Sequence, residues 1–170
     1  MSKYILCLIL IVVTKVGFSQ SGFEDWDENY KFINVDEVIA FEEKYAQEVE
    51  KDTTTGHYYV RIDTYRFFAE YTGNIRLVKD DVINSVKRVL KIKTGDSGIL
   101  NDLVSKEYEF NVGNSKVWMP IQNQLLDFFN NEVNKGDKVL LYALFTNEHH
   151  FEGGITNIFL ISEFTTEWTD

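Results

Sequence analysis

The sequence predicts an α+β fold: a small five-stranded β-barrel with one helix before the last two strands and an added N-terminal helix. Three observations lead there. His57–Tyr71 is a long strand pattern that changes phase midway, Lys106–Met119 holds two short strand patterns split by Gly113-Asn114-Ser115, and Pro120–Asn134 has helical spacing with two apolar strands after it. A long strand that bends lets a small sheet turn a corner and close on itself. The alternative arrangement is an antiparallel sheet with helices on one face.

The start of the chain reads as an export signal. Lys3 gives a positive start, Tyr4–Val13 is an unbroken apolar run, and Gly17-Phe18-Ser19 puts small residues where a signal peptidase reads. The run is too short for a membrane span, which needs roughly twenty residues. Cleavage is expected after Ser19, so residues 1–19 form the signal and Gln20 begins the mature chain. The only cysteine, Cys7, lies inside the signal, which leaves the mature chain no disulfide, thiol nucleophile or thiolate metal site.

Removing the signal takes away Lys3 and Lys15 and no acid. The 17 basic residues fall to 15 against 27 acidic ones, and the formal charge goes from −10 to −12. Such a surface excludes nucleic acid as a partner, because phosphates need a basic face. It permits cationic ligands or a basic partner, and equally well serves solubility alone. With 15% aromatic residues, one core of large side chains is within reach.

Residues 20–33 form an acidic, aromatic segment without a period, read as a flexible or loosely docked arm. The globular domain is expected over residues 34–164, with a polar tail at 165–170. Asn34 can cap a helix running to Lys51, with Glu37 completing a capping box. Val38, Phe41, Tyr45 and Val49 make its apolar stripe, and Glu42, Glu43, Glu48 and Glu50 fall on the solvated side. In the following strand, Tyr58, Val60 and Ile62 alternate in one phase and Tyr65, Phe67, Ala69 and Tyr71 in the other. That phase change predicts a bulge near Asp63-Thr64, and Thr72-Gly73-Asn74 then ends the strand.

Leu77–Lys93 carries both a helical pattern and a strand pattern. It reads as a helix over Asp81–Val89 running into a short strand. Lys106–Val112 alternates with Tyr108, Phe110 and Val112 on one face, and Lys116–Met119 returns after the turn. Pro120 suits the first turn of a helix whose stripe is Ile121, Leu125, Phe128, Phe129 and Val133, stopped at Gly136. Val139–Phe145 is apolar on both faces and should be a central strand. Asn147–Gly154 is a polar turn, and Ile155–Phe164 is the last strand.

This order over His57–Phe164 resembles an oligonucleotide/oligosaccharide-binding (OB-like) barrel. The Phe18-Ser19-Gln20 ending resembles export signals of Bacteroidota-type bacteria. The run Trp118, Pro120, Gln122, Leu126, Glu132, Gly136-Asp137 and Leu141-Tyr142 is similar to a pattern in uncharacterised exported bacterial proteins. The resemblance implies a barrel and a periplasmic or extracellular location, and brings no activity with it.

The richest polar cluster is the Asn147–Gly154 turn. Glu148, His149, His150 and Glu152 carry metal-ligand residue types, but adjacent residues of a strand face opposite ways and the spacing fits no metal motif. The turn is either a solvated hairpin or a ligand-contacting loop, since in an OB-like barrel it borders the ligand face. Glu107, Glu109 and Asp63 are the carboxylates that a small hydrolase of envelope polymers would use. Gly95-Asp96-Ser97-Gly98 resembles a protease string but lacks the nucleophile elbow. Trp118 closes a strand and is the best aromatic for a contact role. The expected function is a non-enzymatic exported binding or structural module without a cofactor. Its contact candidates are Trp118, Glu148, His149, His150 and Glu152, and its partner is an envelope protein, peptide or glycan. A carboxylate hydrolase and a divalent-metal protein are the alternatives.

Overall fold

The longest strand, β2 (Tyr59–Leu77), organises the molecule because it pairs along both of its edges. The computed structural model describes residues 23–51, 59–95, 103–150 and 154–168; the expected signal at 1–19 lies outside them. The first half of β2 runs antiparallel to β5 (Lys138–His150), and its second half runs antiparallel to β3 (Val104–Val112). β3 pairs with β4 (Ser115–Gln122), β5 pairs with β6 (Gly154–Thr165), and Ile121 of β4 meets Ile161 of β6 in parallel. The circuit β2-β3-β4-β6-β5 returns to β2, a closed five-stranded mixed barrel. Closure removes the alternative of a sheet with helices on one face.

Alternation fills the interior. Tyr65, Phe67 and Ala69 of β2, Tyr108 and Phe110 of β3, Met119 and Ile121 of β4, Leu141, Ala143 and Phe145 of β5, and Phe159 and Ile161 of β6 form one buried core. The helix expected before the last two strands is α4 (Leu126–Glu132), entered through a 3-10 turn at Asn123–Leu125. It is shorter than Pro120–Asn134, because Pro120–Gln122 stays in β4. Proline is tolerated there because β4 meets β6 only at Ile121. Leu125, Phe129 and Val133 are buried as expected, whereas Phe128 is 61% exposed.

Between the first two barrel strands lies α3 (Asp80–Thr94), one helix throughout and not a helix running into a strand. Gly95, at φ 80°, ends it in the left-handed conformation. Val86 packs on Ile158 and Leu160, with Val82, Leu90 and Leu144 around them, on the outside of β5 and β6. This cover explains the phase change in β2. The β2–β5 register runs unbroken from Tyr59↔His149 to Glu70↔Lys138, so no bulge lies at Asp63-Thr64. Val60 is buried on the outer face because the sheet is covered on that side, while the inner positions Arg61 and Asp63 are polar. The irregularity falls instead between Tyr71 and Ile75, where Gly73 takes φ 87° and the strand continues through the expected break.

The N-terminal segment closes two faces. α1 (Phe23–Asn29) lies on the outside of β5, with Trp26 and Tyr30 against the Tyr142 ring. Tyr142 donates to Asp27 Oδ1 at 2.8 Å, and Asp27 pairs with Arg66. β5 is thus covered on both faces, as its apolar sequence requires. β1 (Lys31–Phe32) runs parallel to β2 beside Tyr65 and Arg66. α2 (Val35–Lys51) begins at the expected cap, where Asn34 Oδ1 accepts the Asp36 N–H at 3.0 Å. Its buried stripe is rotated from expectation: Val35, Glu42 and Ala46 are buried and Phe41 is 57% exposed.

Candidate binding cleft at the barrel mouth

The barrel interior is apolar up to Phe145 and Phe159 and polar beyond them. Arg61 stands opposite Asn147 on β5, and Asn147 stands opposite Asn157 on β6. Asn147 Nδ2 donates to Asn157 Oδ1 at 2.7 Å. One position further out, His149 is buried with Nε2 3.2 Å from Glu50 Oε1 of α2. α2 therefore lies across the mouth and returns carboxylates to it. Among the described residues, Glu42 Oε2, Asn147 Oδ1 and His149 Nδ1 are buried without a hydrogen-bond partner.

Arg61 holds this end together. Its Nη1 donates to Glu42 Oε1 at 2.5 Å, its Nη2 to the Tyr65 hydroxyl at 2.7 Å, and its Nε to Asp63. Burial opposes the guanidinium charge, but Asp63 and Glu42 outweigh it and raise the pKa. Burial also pushes the Glu42 carboxyl above the usual range, against the pull of Arg61. It lifts the Tyr65 phenol to about 12. A charged residue in the apolar stripe of a helix is stable only with such a partner.

Two clefts open from this network on either side of β1. The first, of about 390 Å³, lies between Asp27–Phe32 and the stretch Arg61–Arg66. The second, of about 360 Å³, has Ile33, Val38, Arg61 and Tyr65 in its walls and Phe32 and Phe41 at its rim. Phe32 is 54% exposed and Phe41 57%. The Arg61 guanidinium lies 6.0 Å from the Phe41 ring, and that of Arg66 5.9 Å from the Phe32 ring. Exposed rings beside a fixed guanidinium offer stacking, cation–π and hydrogen-bond contacts within one small surface.

The residues singled out in the sequence sit in separate settings. Trp118 lies on β4, half-buried, with the Arg76 guanidinium 4.0 Å over its ring. Glu148 is fully buried under α3, where Arg88 donates to both carboxylate oxygens at 2.6 and 2.7 Å. His149 faces inward at the mouth. The His150 side chain and Glu152 fall outside the described residues. Strand β5 runs through His150, so the expected turn at Asn147–Gly154 is largely strand, and its side chains divide between the two faces. No group of three or more potential metal ligands occurs among the described residues.

The hydrolase carboxylates do not share a cleft either. Glu107 is buried against Arg76 Nε at 2.7 Å, Glu109 accepts from Thr72 and Asn74, and Asp63 lies toward the opposite end of β2 beside Arg61. Phe32 and Arg61 carried no sequence signal, while Phe41 was expected in the buried stripe of α2 and Glu42 on its solvated side, the reverse of what is found. One signal for Glu42 was present: Val35, Ile39, Glu42 and Ala46 fall on one helical stripe. The chain matches no known protein family and no curated protein.

Proposed function

We propose that the protein is a non-enzymatic exported binding module of the bacterial envelope whose contact surface is the mouth cleft between Phe32 and Phe41. The observation that carries this reading is two large aromatic side chains left more than half exposed on either side of an arginine that the fold has fixed in place. Exposed rings at a concave site are costly to leave in water and are well suited to stack on sugar rings or peptide side chains. Preorganisation supports the same reading, since Arg61 is ordered by Glu42, Asp63 and Tyr65 before any ligand arrives. The barrel order resembles the OB-like arrangement, in which ligands are bound across an open barrel face. The engaged carboxylates Glu107, Glu109 and Asp63 give the hydrolase reading no support of its own.

The test compares wild type with the Phe32→Ala/Phe41→Ala double variant. Each is immobilised and exposed to envelope extract and to a glycan panel. Both rings are more than half exposed, so the variant should lose little thermal stability while losing at least about tenfold in affinity. Equal retention by both proteins, or retention of nothing by wild type, contradicts the proposal.

A further inference from the structure

The two halves of α2 are seated differently. At its start the helix is anchored: Val35 lies in the barrel core, Val38 and Ile39 pack against that core, and Asp36 accepts the Asn114 N–H and the Ser115 hydroxyl of the β3–β4 turn. Among the described residues, none of α2 beyond Ile39 joins that core. There the helix meets the mouth through Glu42 on Arg61 and Glu50 on His149, with the small, buried Ala46 between them on the same stripe. Beneath it the register sets Arg61, Asn147 and Asn157 side by side in one inward row. Asp63, Phe145 and Phe159 form the next row down, and His149 stands in the next row up. Glu42, Asn147 and His149 are almost wholly buried, and each keeps one polar atom unpaired: Oε2, Oδ1 and Nδ1. A buried polar atom without a partner lowers stability, and native structures hold few of them.

We infer that these rows form a covered binding site for a neutral polyhydroxylated ring, the chemistry of a sugar, and that the C-terminal half of α2 lifts to admit it. The site extends the binding role proposed above, on which it rests, from the rim at Phe32 and Phe41 to the inside of the mouth. Lifting separates Glu42 from Arg61 and Glu50 from His149, and it hydrates the three unpaired atoms, which offsets part of the loss. Arg61 stays in place, because Asp63 and the Tyr65 hydroxyl still hold it. The side chains then uncovered select the ligand class. Asn147 Oδ1 and Asp63 are acceptors, the Arg61 guanidinium is a donor beside them, and His149 Nδ1 stands above. A hydroxyl both donates and accepts, so neighbouring hydroxyls of one ring can meet all of these groups. A carboxylate would be set against Asp63, and an ammonium against Arg61. The apolar face of a sugar ring suits the floor of Phe145 and Phe159, whose centroids lie 4.8 Å apart. A functional site of this kind is held at the expense of stability, as the unpaired atoms show.

Saturation-transfer NMR and amide hydrogen exchange on the wild-type protein test it. The probes are glucose, galactose, mannose and N-acetylglucosamine, with glucuronate and glucosamine as charged controls. The expected result is binding of at least one neutral sugar, at least about tenfold tighter than either control, with faster exchange in Glu42–Lys51 when that sugar is present. The Asn147→Leu/Asn157→Leu variant replaces a hydrogen-bonded pair and its unpaired oxygen together by apolar groups of similar size. It should keep or raise the thermal transition while losing at least about tenfold in sugar affinity. Should that variant not fold, the exchange measurement on the wild type still decides. Retention of envelope material by the wild type without binding of any neutral sugar overturns this inference and leaves the binding role standing. Sugar binding that leaves exchange in Glu42–Lys51 unchanged, or that the double variant matches, overturns it as well.

Discussion

Gly113 is held to glycine by two independent facts. Its φ of 59° lies in the left-handed region, and a Cβ added there would collide with the Asp36 carboxylate. That carboxylate accepts the Asn114 N–H at 2.9 Å and the Ser115 hydroxyl at 2.8 Å, tying the start of α2 to the β3–β4 turn. Gly113→Ala should therefore cost more than about 1 kcal/mol in a denaturant titration. The same bonds hold the Asp36 carboxyl below its ordinary 3.8, the Asn114 N–H contributing most. A depressed folded pKa stabilises the fold above the unfolded value, and that stability is lost as pH falls through the folded value. Asp36→Asn should thus be less stable than wild type at neutral pH, with the gap closing in strong acid; a gap independent of pH contradicts the assignment. Glu42 acts in the opposite sense. Its raised pKa gives stability that is greatest below the unfolded value and declines as pH rises through the folded one. The cap at Asn34 was readable from the sequence because its partners are two and three residues away. The Arg61–Glu42 pair was not, because its members are separated by the whole α2–β2 connection.

α4 is short, and the one side chain it buries completely in the barrel is Phe129. Phe129 is fully buried, with ring centroids of Tyr108, Phe164 and Tyr71 at 5.1, 5.0 and 5.4 Å. Phe129→Ala should cost about 3–5 kcal/mol, whereas Phe128→Ala, on the solvated side, should cost little. α3 is held by an apolar stripe and by Arg88, which faces the buried Glu148. Arg88→Ala would remove both charge-assisted bonds that the buried carboxylate accepts from the guanidinium, and a loss of about 3 kcal/mol is expected in the same titration. Strand β3 was readable from alternation alone, although Glu107 on its polar face is buried against Arg76. α3 and the first half of β2 were not, for a shared reason. The helix covers the outer face of β5 and β6 and gives that side of the sheet an apolar character, so the phase of Val60 and Ile62 looked like a bulge. A period reports which face is buried, and it cannot say what buries it.

Closure of the barrel was visible in the order of its elements, since each strand patterns its own faces and the single helix falls before the closing pair. The mouth was hidden, because it is built from four separated pieces: β1, α2, the start of β2 and the end of β5. No piece carries a local motif. The proposed function places the working surface there and not at Trp118 on the flank. Amide hydrogen exchange, measured with and without an envelope glycan or peptide fraction retained by the wild type, locates that surface most directly. Slowed exchange is expected in Lys31–Phe41 and Arg61–Tyr65, with unchanged exchange around Arg76 and Trp118. Slowing confined to the Arg76–Trp118 flank, with none at the mouth, would contradict it.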